Sequence, residues 1–372
     1  MKTPTLILAL ATVATVTCAQ EPIKVGEYAS LTGKEAGWGQ TSHHGVVLAI
    51  EEINAAGGVL GRPLQLAYED NQSKPGESAT AAKKLISRDK VVALIGEVAS
   101  GRTLEVAPIA QAAHIPMVAP AATNPKVTQA GNYVFRVCFI DDFQGAVMAK
   151  FARDDLRAKK VAILSSVSNA YSVGLAKIFR DTFVAGGGHV ATEKNYSEGD
   201  KDFRAQLTAV KASDVDAVFV PGYYTESALL VRQARELGLT IPFFGGDGWE
   251  DEQLLKIGGD ALNGCYYSTH FSAEDTSPAV VSFIAKYKAR WNGETPGAYS
   301  ALGYDAILVL VDAIKRAGTT DGPKLRDALA ATKDFVGVTG KTTINENRDA
   351  SKPATIIALR NGKAIFYKSV LP

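Results

Sequence analysis

Apolar and polar positions follow two alternating periods along most of the chain. Short apolar runs at 23–28, 64–68, 91–96, 116–119 and 134–139 predict strands. Between them, apolar residues at three-to-four spacing predict helices over 43–56, 77–88 and 103–113. In the first of these, Val46, Val47, Ile50 and Ile53 share one face, and Gly57-Gly58 supplies the stop. Strands alternating with helices in this way imply a parallel sheet with crossover helices.

The pattern then begins again. Strands are expected at 161–165, 189–196, 217–220 and 243–244, with helices over 175–183, 203–210 and 227–237. A second βα series implies a second lobe of similar build, and 372 residues are enough for two domains of ordinary size. Two long helices, 279–291 and 301–317, precede a hairpin signal in which Arg360-Asn361-Gly362-Lys363 separates two apolar runs. Asn-Gly suits a type I′ turn. No low-complexity or Pro/Ser-rich linker divides the halves. The lobes are therefore expected to be joined by short crossings, with the chain passing between them more than once.

The first residues depart from this pattern. Lys2 precedes an apolar run from Leu6 to Val16, too short for the roughly 20 residues of a spanning helix and suited to a secretory signal peptide over 1–19. Thr17 and Ala19 offer small residues for cleavage, while Cys18 leaves open lipidation of an exposed N-terminal Cys. Lys plus Arg total 40 and Asp plus Glu 39; loss of Lys2 with the leader makes them equal. That balance gives no electrostatic footprint for nucleic acid or an anionic membrane surface. The remaining Cys138 and Cys265 lie in apolar runs and read as two buried small hydrophobes.

Motifs for catalysis are largely missing. H-E-x-x-H, C-x-x-C and G-x-S-x-G do not occur, and no metal site or cofactor is expected. Gly337 to Thr342 ends like a phosphate-binding loop, but Phe335 stands where the first Gly is needed and strand and loop follow where a helix is required. His43-His44 are adjacent, point in different directions on a helix, and read as a surface helix start. Three segments at the C-terminal ends of expected strands carry more, because open α/β sheets bind ligands there. Ser100, in the run Gly96 to Thr103, reads as an N-cap whose helix start suits a carboxylate. Pro120-Ala121-Ala122-Thr123 exposes carbonyls and one hydroxyl. Gly245-Gly246-Asp247-Gly248 presents one carboxylate. Donors for an anion and an acid for a cation make a minimal zwitterion site. Trp38, Tyr171 and Tyr223 lie in comparable loops and are candidate walls.

Taken in order, these residues resemble a known family. Ile23-Lys24-Val25-Gly26, Leu31-Thr32-Gly33, Trp38-Gly39, Ile53 to Gly58, Tyr68-Glu69-Asp70 and Pro120 to Thr123 look like a periplasmic leucine/isoleucine/valine-binding protein, the receptor of branched-chain amino-acid ABC transporters. Phe203, Gly222-Tyr223 and Arg232 to Gly238 continue the likeness. The resemblance implies an α/β fold of the type I periplasmic binding protein: two Rossmann-like lobes with parallel-sheet cores and a three-stranded hinge, crossing near Ile140, His270 and Ser351. The expected lobes are 20–140 plus 271–350 and 141–270 plus 351–372. It further implies that Ser100 and Thr123 hold a ligand carboxylate. The Ala121 carbonyl and Asp247, with Thr123, would hold its ammonium. Tyr171 and Tyr223 would close from the second lobe, and Trp38 would flank the ligand side chain. Two departures stand out: Gln72 and Ala99 replace a Cys pair that some members carry, and Arg102, inside the helix after Ser100, points toward a more acidic solute.

The function this implies is a periplasmic, monomeric solute receptor. It would close around an amino acid and be recognised, closed, by a separate inner-membrane ABC permease. A receptor for an amide, urea or aromatic carboxylate is the nearest alternative; a ligand-sensing module or an enzyme on the same fold are the others.

Overall fold

The computed structural model describes residues 20–372, so the expected leader and Cys18 lie outside the described residues. Strands β1 (Ile23–Ala29), β2 (Leu64–Asp70), β3 (Ala93–Ile95), β4 (Met117–Ala119) and β5 (Val134–Arg136) form one sheet in the order β2-β1-β3-β4-β5. Every pairing in it is parallel. Helices α1 (Ala36–Ala55), α2 (Glu77–Lys84), α3 (Ser100–Ala113) and α4 (Lys126–Gln129) make its connections, with α2 running on as a wider-wound turn, Leu85–Asp89.

The chain then crosses to a second sheet. Elements α5 (Asp141–Asp154), β6 (Lys160–Ser166), α6 (Ala170–Ala185), β7 (His189–Tyr196), α7 (Arg204–Ala212), β8 (Ala217–Val220), α8 (Tyr224–Glu236), β9 (Phe243–Gly245), α9 (Glu252–Gly258) and β10 (Cys265–Thr269) follow. It crosses back to lay α10 (Pro278–Arg290) and α11 (Ala298–Ala317) against α1, followed by α12 (Gly322–Ala330) and a hairpin of β11 (Phe335–Gly337) with β12 (Gly340–Thr342). A third crossing leads to β13 (Ala354–Arg360) and β14 (Lys363–Val370). β13 adds antiparallel to β10 and β14 antiparallel to β13, giving the order β14-β13-β10-β9-β8-β6-β7. The fold is thus two α/β lobes joined by three crossings.

Packing explains where the sequence pattern was read short. Helix α1 begins at Ala36, not at 43, because Trp38, Gly39 and Ser42 also turn inward. Gly45 and Gly303 let α1 and α11 cross closely: a Cβ on Gly45 would lie 1.9 Å from the Ser300 carbonyl oxygen, and one on Gly303 2.4 Å from that of Ser42. The histidine pair therefore stands inside the helix rather than at a surface start. His43 Nδ1 is 2.6 Å from Glu27 Oε2, and the His44 ring stacks on Trp291 at 3.7 Å. Helix α5 was missed because Gly145 interrupts its apolar spacing; that glycine admits Ile178 of α6. Cys138 and Cys265 are free and buried, and burial pushes the Cys138 thiol up to about 12. The loop that resembles a phosphate cradle already holds an anion of the protein: Asp305 accepts from the Val338 and Thr339 N–H groups at 2.7 and 2.9 Å.

The crossings are themselves tied together. Phe139 of the first stacks on His270 of the second at 3.7 Å. Arg136, fully buried, meets Asp349 of the third at 2.6 Å and donates to the Ala122 and Asn124 carbonyls.

Candidate functional site

In each sheet the strand order reverses beside its first strand, β1 with neighbours β2 and β3, and β6 with neighbours β7 and β8. Such switch points leave crevices at the C-terminal strand ends. The loops after β3 and β4 meet those after β6, β8 and β9 across a small cavity. Trp38, Ser100, Ala121, Thr123, Tyr171, Tyr223 and Asp247 all line it, together with Val98, Gly248 and Tyr299.

One end favours an anion. Ser100 opens α3, but as its first helical residue; Ala99, with an extended backbone, occupies the N-cap and makes no side-chain cap bond. The capping role expected for Ser100 is therefore corrected. Thr103 Oγ1 instead donates back to the Ala99 carbonyl at 3.1 Å, which leaves the Ser100 hydroxyl turned toward the β4 loop. Ser100 Oγ accepts from the Asn124 N–H at 3.2 Å, and its own hydrogen is left for an acceptor in the cavity. Unpaired N–H groups of the first helical turn add to the attraction for a carboxylate. Arg102 does not contribute. Its guanidinium turns away to Glu35 at 3.2 Å and the Ser73 carbonyl at 2.8 Å, so the acidic solute it suggested loses its basis.

The opposite end carries Asp247. Its Oδ1 accepts from the Tyr171 hydroxyl at 2.9 Å, and its Oδ2 lies 3.1 Å from His270 Nε2. The Asp247 N–H donates to Gln144 Oε1 at 2.7 Å, and its carbonyl accepts from the Tyr299 hydroxyl at 2.6 Å. Glycines permit this crowding. A Cβ on Gly246 would sit 2.4 Å from the Tyr171 oxygen, and one on Gly248 2.7 Å from the Gly222 carbonyl. Behind Thr123 lies Asp141, whose N–H donates to the Thr123 carbonyl at 3.0 Å. Burial, then the nearby Asp247 charge, pushes the Asp141 carboxyl up to about 8.

Aromatic rings close the remaining sides. Asn169 Oδ1 caps α6 by accepting from the Tyr171 and Ser172 N–H groups, which fixes Tyr171 at the helix start. Tyr223 precedes α8 and stacks on Tyr171 at 5.5 Å. Trp38 meets Tyr223 edge-on at 4.5 Å and Tyr299 at 5.7 Å. Such pairs favour edge-to-face contact and rigidify the wall. Tyr299, His270 and Gln144 are not among the site residues expected from the sequence. Tyr299 sits within an apolar helix, His270 in a crossing, and Gln144 in the helix that was missed. Among the described residues no His, Cys, Asp and Glu group is arranged to hold a metal.

Comparison with known proteins bears on this geometry. The sequence model of the family described as periplasmic binding protein matches residues 22–364. The Leu/Ile/Val-binding protein BraC3 of Rhizobium johnstonii is 33% identical over 351 residues, 94% of this chain and 94% of its own. The crystal structure of a leucine binding protein, LivK, from Thermotoga maritima superposes with a TM-score of 0.91 at 41% identity, covering 94% of this chain and 99% of that one. The branched-chain amino acid transporter substrate binding protein LivJ of Streptococcus pneumoniae, in complex with isoleucine, gives 0.89 at 34% identity, covering 94% and 100%.

Proposed function

The chain belongs to the periplasmic binding protein family, and from that premise we propose that it is the receptor of an ABC uptake system for an amino acid, with branched aliphatic side chains as the default. The carrying observation is that the Ser100 helix start and the Asp247 carboxylate line one small cavity. A zwitterion brings one charge for each. A buried charge left unpaired is costly, so the pairing selects for ligands carrying both groups.

In this reading Ser100 and Thr123 bind the carboxylate, and the Ala121 carbonyl and Asp247 the ammonium. Trp38, Tyr171 and Tyr223 enclose the side chain. The half-sites belong to different lobes, 20–140 plus 271–350 and 141–270 plus 351–372. A solute that touches both shifts the open–closed equilibrium toward the closed form, which the permease recognises. The protein is exported, acts as a monomer outside the cytoplasm, and catalyses no reaction. Among the described residues no helix is long and apolar enough to cross a membrane.

A thermal-shift screen against amino acids, amides, urea and aromatic carboxylates tests the reading. A specific ligand raises the melting temperature by mass action. Aliphatic amino acids should give the largest rise. A rise with aromatic carboxylates alone would overturn the amino-acid assignment.

A further inference from the structure

We infer that Glu250 is a positioning residue that couples lobe closure to the shape of the solute cavity, by holding from one lobe the aromatic wall contributed by the other. The inference rests on reading the cavity as the solute site.

Glu250 follows the Asp247 turn in the second lobe and is half-buried beside β10, where its Oε2 accepts from the Thr269 hydroxyl. Its other groups reach across the lobe boundary. The Glu250 carbonyl accepts from Trp38 Nε1–H at 2.9 Å. Its Oε1 accepts from the Ala298 N–H at 2.6 Å. Ala298 is the first residue of α11, and Tyr299, which lines the cavity, is the next. Gly297 stands at the N-cap and has no side-chain oxygen of its own. The helix start that carries Tyr299 is therefore capped by a carboxyl oxygen of the opposite lobe, which takes one of the N–H groups the helix leaves without an intrahelical partner; burial pushes that carboxyl up to about 7.

Close approach is built into the neighbouring positions. A Cβ on Gly297 would come within 3.2 Å of Glu250 Oε1, and one on Gly37, beside Trp38, within 2.0 Å of Asp251 Oδ2. Tyr299 is gripped a second time, through its hydroxyl, by the Asp247 carbonyl of the same loop. Opening the cleft separates the partners of all three bonds. Closure thus sets the Trp38 and Tyr299 rings in place, and Glu250 transmits it although it does not line the cavity.

The test is calorimetric titration of wild type, Glu250→Gln and Glu250→Ala with whichever solute of the screen stabilises the wild type most. Glu250→Ala removes the acceptor and should weaken binding about tenfold or more, the scale of one hydrogen bond to a charged group. Glu250→Gln keeps an acceptor oxygen and should restore affinity to within about threefold of wild type. The melting temperature without solute should change little in either. If Glu250→Ala does not fold, Trp38→Phe carries the test, since it keeps a ring and removes the N–H that the Glu250 carbonyl accepts; it too should weaken binding. Wild-type affinity in Glu250→Ala, an equal loss in Glu250→Gln, or wild-type affinity in Trp38→Phe would overturn the inference. Because the screen selects the solute, a preference for aromatic carboxylates would sink the amino-acid reading and leave this comparison intact.

Discussion

The carboxylate of Asp247 and the imidazole of His270 meet at 3.1 Å where the second crossing leaves β10. Burial lowers the affinity of His270 for a second proton, against the pull of Asp247, and so favours the neutral ring. A neutral ring that donates to Asp247 carries its single hydrogen on Nε2, which leaves Nδ1 as a buried lone pair without a protein partner. Phe139 packs on the ring face. The acid at one end of the cavity is thereby oriented by the hinge itself.

Replacing His270 by Ala should destabilise the protein by about 1–3 kcal/mol, because it strips one partner from a buried carboxylate and unstacks Phe139. Urea denaturation reads this directly. Wild-type stability in His270→Ala would mean that Asp247 finds its second partner elsewhere.

Asp141 predicts a pH dependence. Its carboxyl is raised by burial first and by Asp247 second, to about 8, against an ordinary value of 3.8. One of its oxygens has no protein partner, and the other accepts from Gln144 Nε2 at 3.2 Å. Between those values the folded protein holds a proton that the unfolded chain releases. The contribution is complete below about pH 4 and falls away as the pH rises toward 8. Asp141→Asn should therefore flatten the loss of stability over this window and exceed the wild type in alkali. Denaturation profiles of the two proteins that run parallel from acid to alkali would contradict it.

Lys34 and Glu198 bridge the mouth of the cleft at 2.5 Å, and Asn169 Nδ2 also donates to Glu198 at 2.7 Å. The lysine is well exposed, so the pair is worth about 0.2–1 kcal/mol to closure. Lys34→Ala should weaken solute binding by that amount in dilute buffer, with the difference fading at high salt. A salt-independent loss would point to packing by the Lys34 stem instead.

Much of this architecture was legible in the residues. The short apolar runs ending in Gly or Pro, at Ile95, Ala119 and Gly245, mark strand ends whose loops reach the cavity, because period and punctuation are local signals. The roles of Trp38, Tyr171 and Tyr223 came from the family resemblance, since a lone aromatic in a loop carries no direction. Tyr299 and Glu250 were invisible for another reason. One looks like core in an apolar helix and the other like a surface acid, and only the meeting of the lobes brings them to the same wall. Arg102 was misjudged because spacing places it beside Ser100, whereas its partner Glu35 lies far away in sequence.

The most direct measurement is calorimetric titration of wild type and Asp247→Asn with the amino acid that most raises the melting temperature. Asparagine keeps the shape of the side chain and removes the charge that balances an ammonium in a closed cavity. The loss of affinity should be about 2–5 kcal/mol, the cost of breaking a desolvated charge pair. Equal dissociation constants for the two proteins would contradict the assignment of Asp247 to the ammonium, and with it the reading of this cavity as an amino-acid site.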